Sequence, residues 1–396
     1  MVAVSTAKKV HMPRTECALT DSLMRPADAQ PVLSVVIPTW NRPDELSVAV
    51  SSIAGQIKGA LQGKVEIIVT DNASGPATAA VLKRLGEVYP SVNYMIHAEN
   101  EGGAFQVYAA PHRARGRWTW VFGDDDALAD DGLDPIVSCL EDTAPSFLTV
   151  NRQVWDKTLT SRLSATKHDL PDLEFGSFVA LLEKFGFDQI SFLSSQIYET
   201  AAARQIDPQP YLDCGCDYGQ MAYYLEAFHD KPAAYLSSAV VKHRWDASAA
   251  AVHASNFHHL ATYLPDILRF AAEQAKLPDD LFERIAGNRS LIGASERQVT
   301  FVDNVLENLW RCVATGASIS PREWEVLHRL SGHWRPERGE QLSTVQQAYT
   351  SISEAIGHFQ NLLVQIQQME AAGHSLEANI IEARKAAMEM SKTYHP

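Results

Sequence analysis

From residue 33 to residue 150 the chain alternates short apolar runs with helically spaced apolar residues. Residues 33–37 form an apolar run closed by Pro38, which predicts a strand. Pro43 then occupies a position that a helix's first turn tolerates, and Leu46, Val50 and Ile53 continue at helical spacing. The same alternation predicts further strands at 65–69, 92–96, 118–122 and 147–150, with helices at 79–88, 102–114 and 133–140. Strand–helix repetition with short linkers implies an α/β domain whose mostly parallel sheet is covered on both faces.

The two ends differ in texture. Residues 1–30 are polar, contain Pro13 and Pro26 and show no period, so they are expected to be a mobile N-terminal arm. From about residue 255 strand signals give way to helical spacing, predicting an all-α C-terminal extension. There Val345, Tyr349, Ile352, Ile356, Phe359, Leu363 and Ile366 alternate by four and three residues, a heptad seam of about three repeats. Beyond Gly373, which predicts a kink or helix end, Leu376, Ile380, Ala383, Ala387 and Met390 resume the spacing in a shifted register. Segment 342–392 is thus a candidate coiled coil. It is either a helix packed on its own subunit or a self-association helix that makes a homo-oligomer. Its polar face mixes Gln, Glu and His instead of clustering Lys and Arg, which fits a membrane-surface helix less well.

With 46% hydrophobic and 21% charged residues, the 396-residue chain has globular composition, which excludes disordered, collagen-like and disulfide-scaffold classes. The length suits one large catalytic domain plus an appendage, or two domains. No apolar run is long enough to span a bilayer, and the first thirty residues lack an apolar signal core, so a cytoplasmic protein with reduced thiols is expected. The five cysteines are scattered apart from Cys214-Gly-Cys216, which lacks two further ligands at zinc spacing. The net charge of −14 argues against a broad nucleic-acid-binding face. An anionic ligand would need a metal ion or a few placed basic residues.

Three polar clusters follow predicted strands: Thr39-Trp40-Asn41-Arg42, Asp71-Asn72-Ala73-Ser74 and Asp124-Asp125-Asp126. In open α/β sheets ligands bind at the carboxyl ends of strands, so the three clusters are expected to face one crevice. Adjacent carboxylates repel one another, and holding three together favours a bound hard cation with sites left for phosphate oxygens.

The segment Ser34-Val35-Val36-Ile37-Pro38-Thr39-Trp40-Asn41-Arg42 resembles the opening strand of family 2 glycosyltransferases, which have the GT-A (Rossmann-like) fold. Val69-Thr70-Asp71-Asn72-Ala73-Ser74, Asn100-Glu101-Gly102-Gly103 and Phe122-Gly123-Asp124-Asp125-Asp126-Ala127-Leu128 resemble that family's second-strand, Asn-x-Gly and Asp-x-Asp segments, in matching order. The resemblance covers roughly residues 32–250. It implies a transferase domain at 31–250, followed by the helical region 251–396. It also implies a UDP-sugar or similar nucleoside diphosphate sugar as donor, a glycan, polymer or other hydroxyl acceptor, Mn²⁺ or Mg²⁺ as cofactor, and inversion at the anomeric carbon. Pro38, Thr39, Asn41, Arg42, Asp71, Asn100, Asp124 and Arg244 are then expected to hold the nucleotide sugar. Asp125, Asp126 and His243 are the expected metal ligands. Asp217 is the expected general base, with Asp213 as alternative.

The sequence departs from the family at Gly123, where an acidic residue is common, and at Val107 and Tyr108, where an Arg-Asn pair is common. A diphosphate contact from Arg113 or Arg115 is the expected substitute, and Ser248 matches a serine that follows the Lys242-His243-Arg244-Trp245 segment. Two rival readings accompany these departures: a nucleotidyltransferase, and a non-catalytic scaffold built on a degenerate transferase domain.

Overall fold

The computed structural model of the chain describes residues 19–24, 29–166, 168–216, 218–245, 263–278, 319–331 and 336–371, with short pieces between 281 and 310 and Lys385. The first half runs β1 (Leu19–Leu23), β2 (Leu33–Thr39), α1 (Pro43–Ala54), β3 (Val65–Asp71), α2 (Pro76–Val88), β4 (Val92–His97), α3 (Gly103–Arg113), β5 (Trp118–Val121), β6 (Ala127–Leu128) and α4 (Leu133–Thr143). The apolar runs become strands because both of their faces are covered. Val35, Val36, Ile37, Ile67, Ile68 and Val69 are all fully buried. Each such side chain stabilises the fold by about 1.5–3 kcal/mol relative to an exposed one.

β4, β3, β2 and β5 pair in parallel, in that spatial order. Prolines at the starts of α1 and α2 set the entry of both helices. Leu19–Leu23 lies within the stretch expected to be a mobile arm, yet it pairs antiparallel with β4 and closes that edge of the sheet. Leu23 packs against the core formed by the parallel strands.

The second half runs β7 (Phe147–Trp155), β8 (Arg162–Ser164), β9 (Leu173–Phe175), α5 (Phe178–Phe185), α6 (Phe187–Ser191), β10 (Gln196–Glu199), α7 (Thr200–Ala203), α8 (Gln209–Asp213), α9 (Gly219–Phe228) and β11 (Ala233–Arg244). The full eleven-stranded sheet has the order β1-β4-β3-β2-β5-β10-β7-β11-β6, with β8 on β7 and β9 on β11. It is therefore a mixed sheet. The short strand β10 sits antiparallel between β5 and β7, while β7 and β11 pair in parallel.

Beyond β11 come α10 (Leu264–Gln274), a two-residue antiparallel ladder of β12 (Arg289–Ser290) and β13 (Val299–Thr300), α11 (Pro321–Ser331) and α12 (Pro336–Ala371). The C-terminal extension is otherwise helical among the described residues. Its core joins that of the sheet. Leu264, Leu268, Trp324, Leu327, Leu342 and Val345 belong to one buried cluster with Val121, Phe147 and Tyr223.

Candidate active site

The parallel strands carry the polar clusters to one end of the sheet. β2 ends at Thr39 opposite Asp71 of β3. The chain then turns through Asn41 at φ 54° and, after β3, through Ala73 at φ 60°, both in the left-handed region. Asn41 Oδ1 accepts from the Gly75 N–H at 2.9 Å, and the Asn41 N–H donates to Ser74 Oγ at 2.8 Å. Asn41 was expected to face the nucleoside. Its side chain instead ties the two loops together. Asp71 is fully buried, with Oδ1 accepting from the Ser74 N–H at 3.3 Å and Oδ2 lacking a donor among the described residues. Burial pushes its carboxyl above the ordinary value.

The acidic triplet sits between β5 and β6, and β6 pairs with Val241 and Lys242 of β11. That pairing brings the end of β11, and so His243 and Arg244, beside the triplet. The three carboxylates have different surroundings. Asp124 is buried, accepting from Thr39 Oγ1 at 2.8 Å and Arg42 Nη1 at 3.0 Å. Burial pushes its carboxyl above the ordinary value, while those two bonds pull it down. Asp125 is half-exposed and meets the same Arg42 Nη1 at 3.1 Å. Asp126 is buried, with Ser194 Oγ donating to Oδ2 at 2.6 Å and the Arg244 N–H donating to Oδ1 at 3.1 Å. Burial and then the Asp125 charge push the Asp126 carboxyl up to about 7.

Gly123 explains how these groups fit. A Cβ built there would lie 3.0 Å from Asp125 Oδ1, 3.2 Å from Ser194 Oγ and 3.3 Å from Asp126 Oδ2. The oxygens occupy the space that a side chain at this position would take.

Among the described residues no three of His, Cys, Asp or Glu form a ready metal cage. Asp124 and Asp125 nevertheless converge on one cationic nitrogen of Arg42. Two carboxylates on one cation suit a hard divalent ion that completes its shell with water and phosphate oxygens. His243 stacks on Phe192 with ring centroids 4.4 Å apart. Arg244 donates through Nε to the Asp125 carbonyl at 2.5 Å and through Nη1 to the Lys157 carbonyl at 2.6 Å. Its guanidinium thus braces the triplet's backbone.

A cavity of about 560 Å³ opens at this end of the sheet, within the size range of ligand pockets. Pro38, Thr39, Arg42, Asn100 and Asp124 line it, as expected from the sequence. Trp40 and Asn72, members of the polar clusters expected to face one crevice, line it too, as do Gln106, Leu193 and Gln220, which the sequence reading did not single out. Trp40 is 54% exposed, an unusual setting for a tryptophan and an available stacking face. Asn72 organises one wall. Its Nδ2 donates to Asn100 Oδ1 at 2.8 Å, and its Oδ1 accepts from the Glu101 N–H at 2.8 Å and Gln106 Nε2 at 3.0 Å. Val107 and Tyr108 line the same wall.

Neither arginine expected to compensate for Val107 and Tyr108 lines the cavity. Arg113 donates to Gln106 Oε1 at 2.5 Å and lies 3.1 Å from His97 Nε2. Arg115 pairs with the buried Glu66, which also accepts from Ser34 Oγ at 2.5 Å. That pair lies beside the second residue of β3, whereas the cavity lies at the strand's other end. On the side where the acceptor is expected, Cys216 and Gln220 line the cavity. Asp213 is exposed and accepts from Gln209 Nε2 within its own helix at 2.8 Å. Asp217 and Ser248 lie outside the described residues.

This site sits in a segment with known relatives. The sequence matches the model of glycosyl transferase family 2 over residues 34–200. Residues 34–200 are thus similar to glycosyl transferase family 2. It is 34% identical over 119 residues to the abequosyltransferase RfbV of Salmonella typhimurium, a stretch covering 30% of this chain and 35% of that protein. The chain thus spans about a third of the length of this curated relative. The fold is similar to that of S. aureus TarS 1-349 in complex with UDP. That match has a TM-score of 0.52 and 12% identity, and covers 82% of this chain and 91% of that one. A longer S. aureus TarS structure gives a TM-score of 0.50 and 14% identity, covering 80% of this chain and 55% of that chain. The four motifs all fall within the matched residues, and the mixed sheet has the GT-A fold.

Proposed function

We propose that the chain is an inverting, metal-dependent glycosyltransferase that moves a sugar from a nucleoside diphosphate donor, a UDP-sugar, to an acceptor hydroxyl. One observation carries the reading. The cavity at the carboxyl ends of the strands joins a half-exposed aromatic face, Trp40, to the carboxylate of Asp124, which converges with that of Asp125 on the cationic nitrogen of Arg42. A base stacks on the former, and a diphosphate needs a cation at the latter. RfbV is named an abequosyltransferase and TarS 1-349 was solved with UDP, which supports a nucleotide-sugar donor.

Thr39 and Arg42 hold Asp124 and Asp125 in place, and Asn72, Asn100 and Gln106 shape the opposite wall. Asp71 supplies a buried acceptor at the nucleoside end. Asp125 with Asp124 would hold Mn²⁺ or Mg²⁺, which would supply charge neutralisation for the departing diphosphate. Asp126 and Arg244 anchor the loop that presents them. In the transfer, Asp217 takes the acceptor hydroxyl's proton as that oxygen attacks the anomeric carbon. The bond from that carbon to the diphosphate breaks, the electron pair leaves with the nucleotide, and configuration inverts. We assign this chemistry to residues 31–250, self-association to 251–396, and the reaction to the cytoplasm, where nucleotide sugars are made. No helix among the described residues is long and apolar enough to cross a membrane.

The test is release of nucleoside diphosphate from UDP-, GDP- and CDP-sugars in the presence of Mn²⁺. The wild-type chain is expected to turn over one donor class, and Asp217→Asn to lower kcat at least a hundredfold with donor KM little changed. Pyrophosphate release with nucleoside monophosphate incorporation would replace the reading with a nucleotidyltransferase. Absence of both turnover and donor binding would leave the scaffold.

A further inference from the structure

The seam of α12 begins inside the molecule and ends outside it. Leu342 and Val345 are buried in the cluster that holds Trp324 and Leu327 of α11. Tyr349 closes this docked portion, with its ring 5.6 Å from Trp324 and its hydroxyl accepting from the Ile319 N–H at 2.9 Å. The helix then continues to Ala371. That is about 33 Å of further length at 1.5 Å per residue. The same heptad row continues along it through Ile352, Ile356, Phe359 and Leu363, now 41%, 45%, 61% and 46% exposed. A strict four-three row of large apolar side chains facing solvent needs a partner surface.

Charge points to what that surface is. The chain carries a net charge of −14, yet between Glu340 and Glu370 its only ionisable side chains besides Tyr349 are Glu354 and His358. The residues flanking the seam are Gln346, Ser353, Gln360 and Gln367 on one side and Ala348, Ala355 and Leu362 on the other. A partner of opposite charge would be met by acidic flanks, and an anionic membrane by Lys and Arg. Neutral flanks on an acidic protein remove the repulsion that identical helices would otherwise suffer. The occupant they fit is another copy of the same helix.

The core residues also speak to the number of copies. Counting Leu342 as heptad position a, the a positions are Tyr349, Ile356 and Leu363, and the d positions are Ile352, Phe359 and Ile366. Leucine at d, which favours two strands, is absent. Ile at d, with Leu or Ile at a, shifts the preference to three or four. The apolar flank of Ala348, Ala355 and Leu362 widens the stripe in the same sense.

We propose that residues 352–366 of α12 associate with the same segment of other copies in a helical bundle of three or more chains. The test is sedimentation equilibrium of the full chain, beside the double variant Ile356→Asp/Leu363→Asp, with circular dichroism and thermal melting of both. Both positions are half-exposed, so the variant is expected to keep the wild-type spectrum. The wild type is expected at three or four chain masses and the variant at one. A wild-type mass of one or two chains, or a variant with unchanged mass, would overturn the proposal. So would a monomer that instead floats with phosphatidylcholine–phosphatidylglycerol vesicles, since that would make the seam a membrane face.

Discussion

Gly123 departs from the acidic residue that the Asp-x-Asp resemblance implies there, and the structure turns that departure into a packing requirement. Asp125, Asp126 and Ser194 all place an oxygen within about 3.3 Å of where its Cβ would be. Gly123→Ala should therefore fold and yet push the carboxylates apart. Its metal-dependent diphosphate affinity is expected to drop about tenfold, or roughly 1.4 kcal/mol. Wild-type affinity in a titration would show that the oxygens shift without consequence.

Asp126 gives a pH signature at the same scale. Its carboxyl, held up to about 7, binds a proton more tightly in the folded chain than in the unfolded one. That contribution favours folding below about pH 4, the value for an unfolded aspartate. It is lost as pH rises through about 7, leaving an ionised buried carboxylate to be tolerated. Asp126→Asn should raise the melting temperature of chelator-treated protein at pH 8 and change it little near pH 4. Equal shifts at both pH values would remove the electrostatic explanation.

At the scale of elements, the short segments do the positioning. The turn Leu193–Ser195 places Ser194 so that its hydroxyl donates to Asp126 and accepts from the Gly123 N–H at 2.9 Å, joining both sides of the triplet. Ser194→Ala should cost about 1–3 kcal/mol by leaving these buried groups unmatched. Chemical denaturation measures it, and a loss below about 0.3 kcal/mol would mean that water or a shifted loop replaces the hydroxyl. Such elements were hard to read in the sequence. β2 to β5 were legible because burial on both faces makes them continuous apolar runs. β10 reads Gln-Ile-Tyr-Glu and hides its strand character, since Gln196 is buried through bonds to the Gln189 and Phe192 carbonyls. β1 lies in a polar stretch and becomes a strand only because β4 offers an open edge. The cavity-lining Thr39, Arg42 and Asp124 were legible from strand-end placement. The roles of Asn72, Gln106 and Ser194 were not, because their partners come from segments 28 to 71 residues away. Arg115 was misplaced because sequence shows its charge but not the buried Glu66 that takes it.

For the whole molecule, charge and architecture agree. The anionic donor proposed for this acidic chain would meet a local arrangement of cation and carboxylates, at the end of a mixed sheet opposite the Arg115–Glu66 pair. The helical region is not a detached appendage, because α10, α11 and the start of α12 share a core with the strands. Among the described residues, the later part of α12 leaves that core with its apolar row exposed. Everything proposed for the catalytic half depends on the cavity beside Trp40 and Asp124 taking a nucleoside diphosphate together with a divalent ion. Calorimetric titration of the full chain with UDP, GDP and CDP, with and without Mn²⁺, tests this most directly. The account predicts that one of them, UDP, binds in a metal-dependent manner, and that Asp125→Ala abolishes the binding without lowering the melting temperature. Metal-independent binding of all three, or binding that survives Asp125→Ala unchanged, would contradict it.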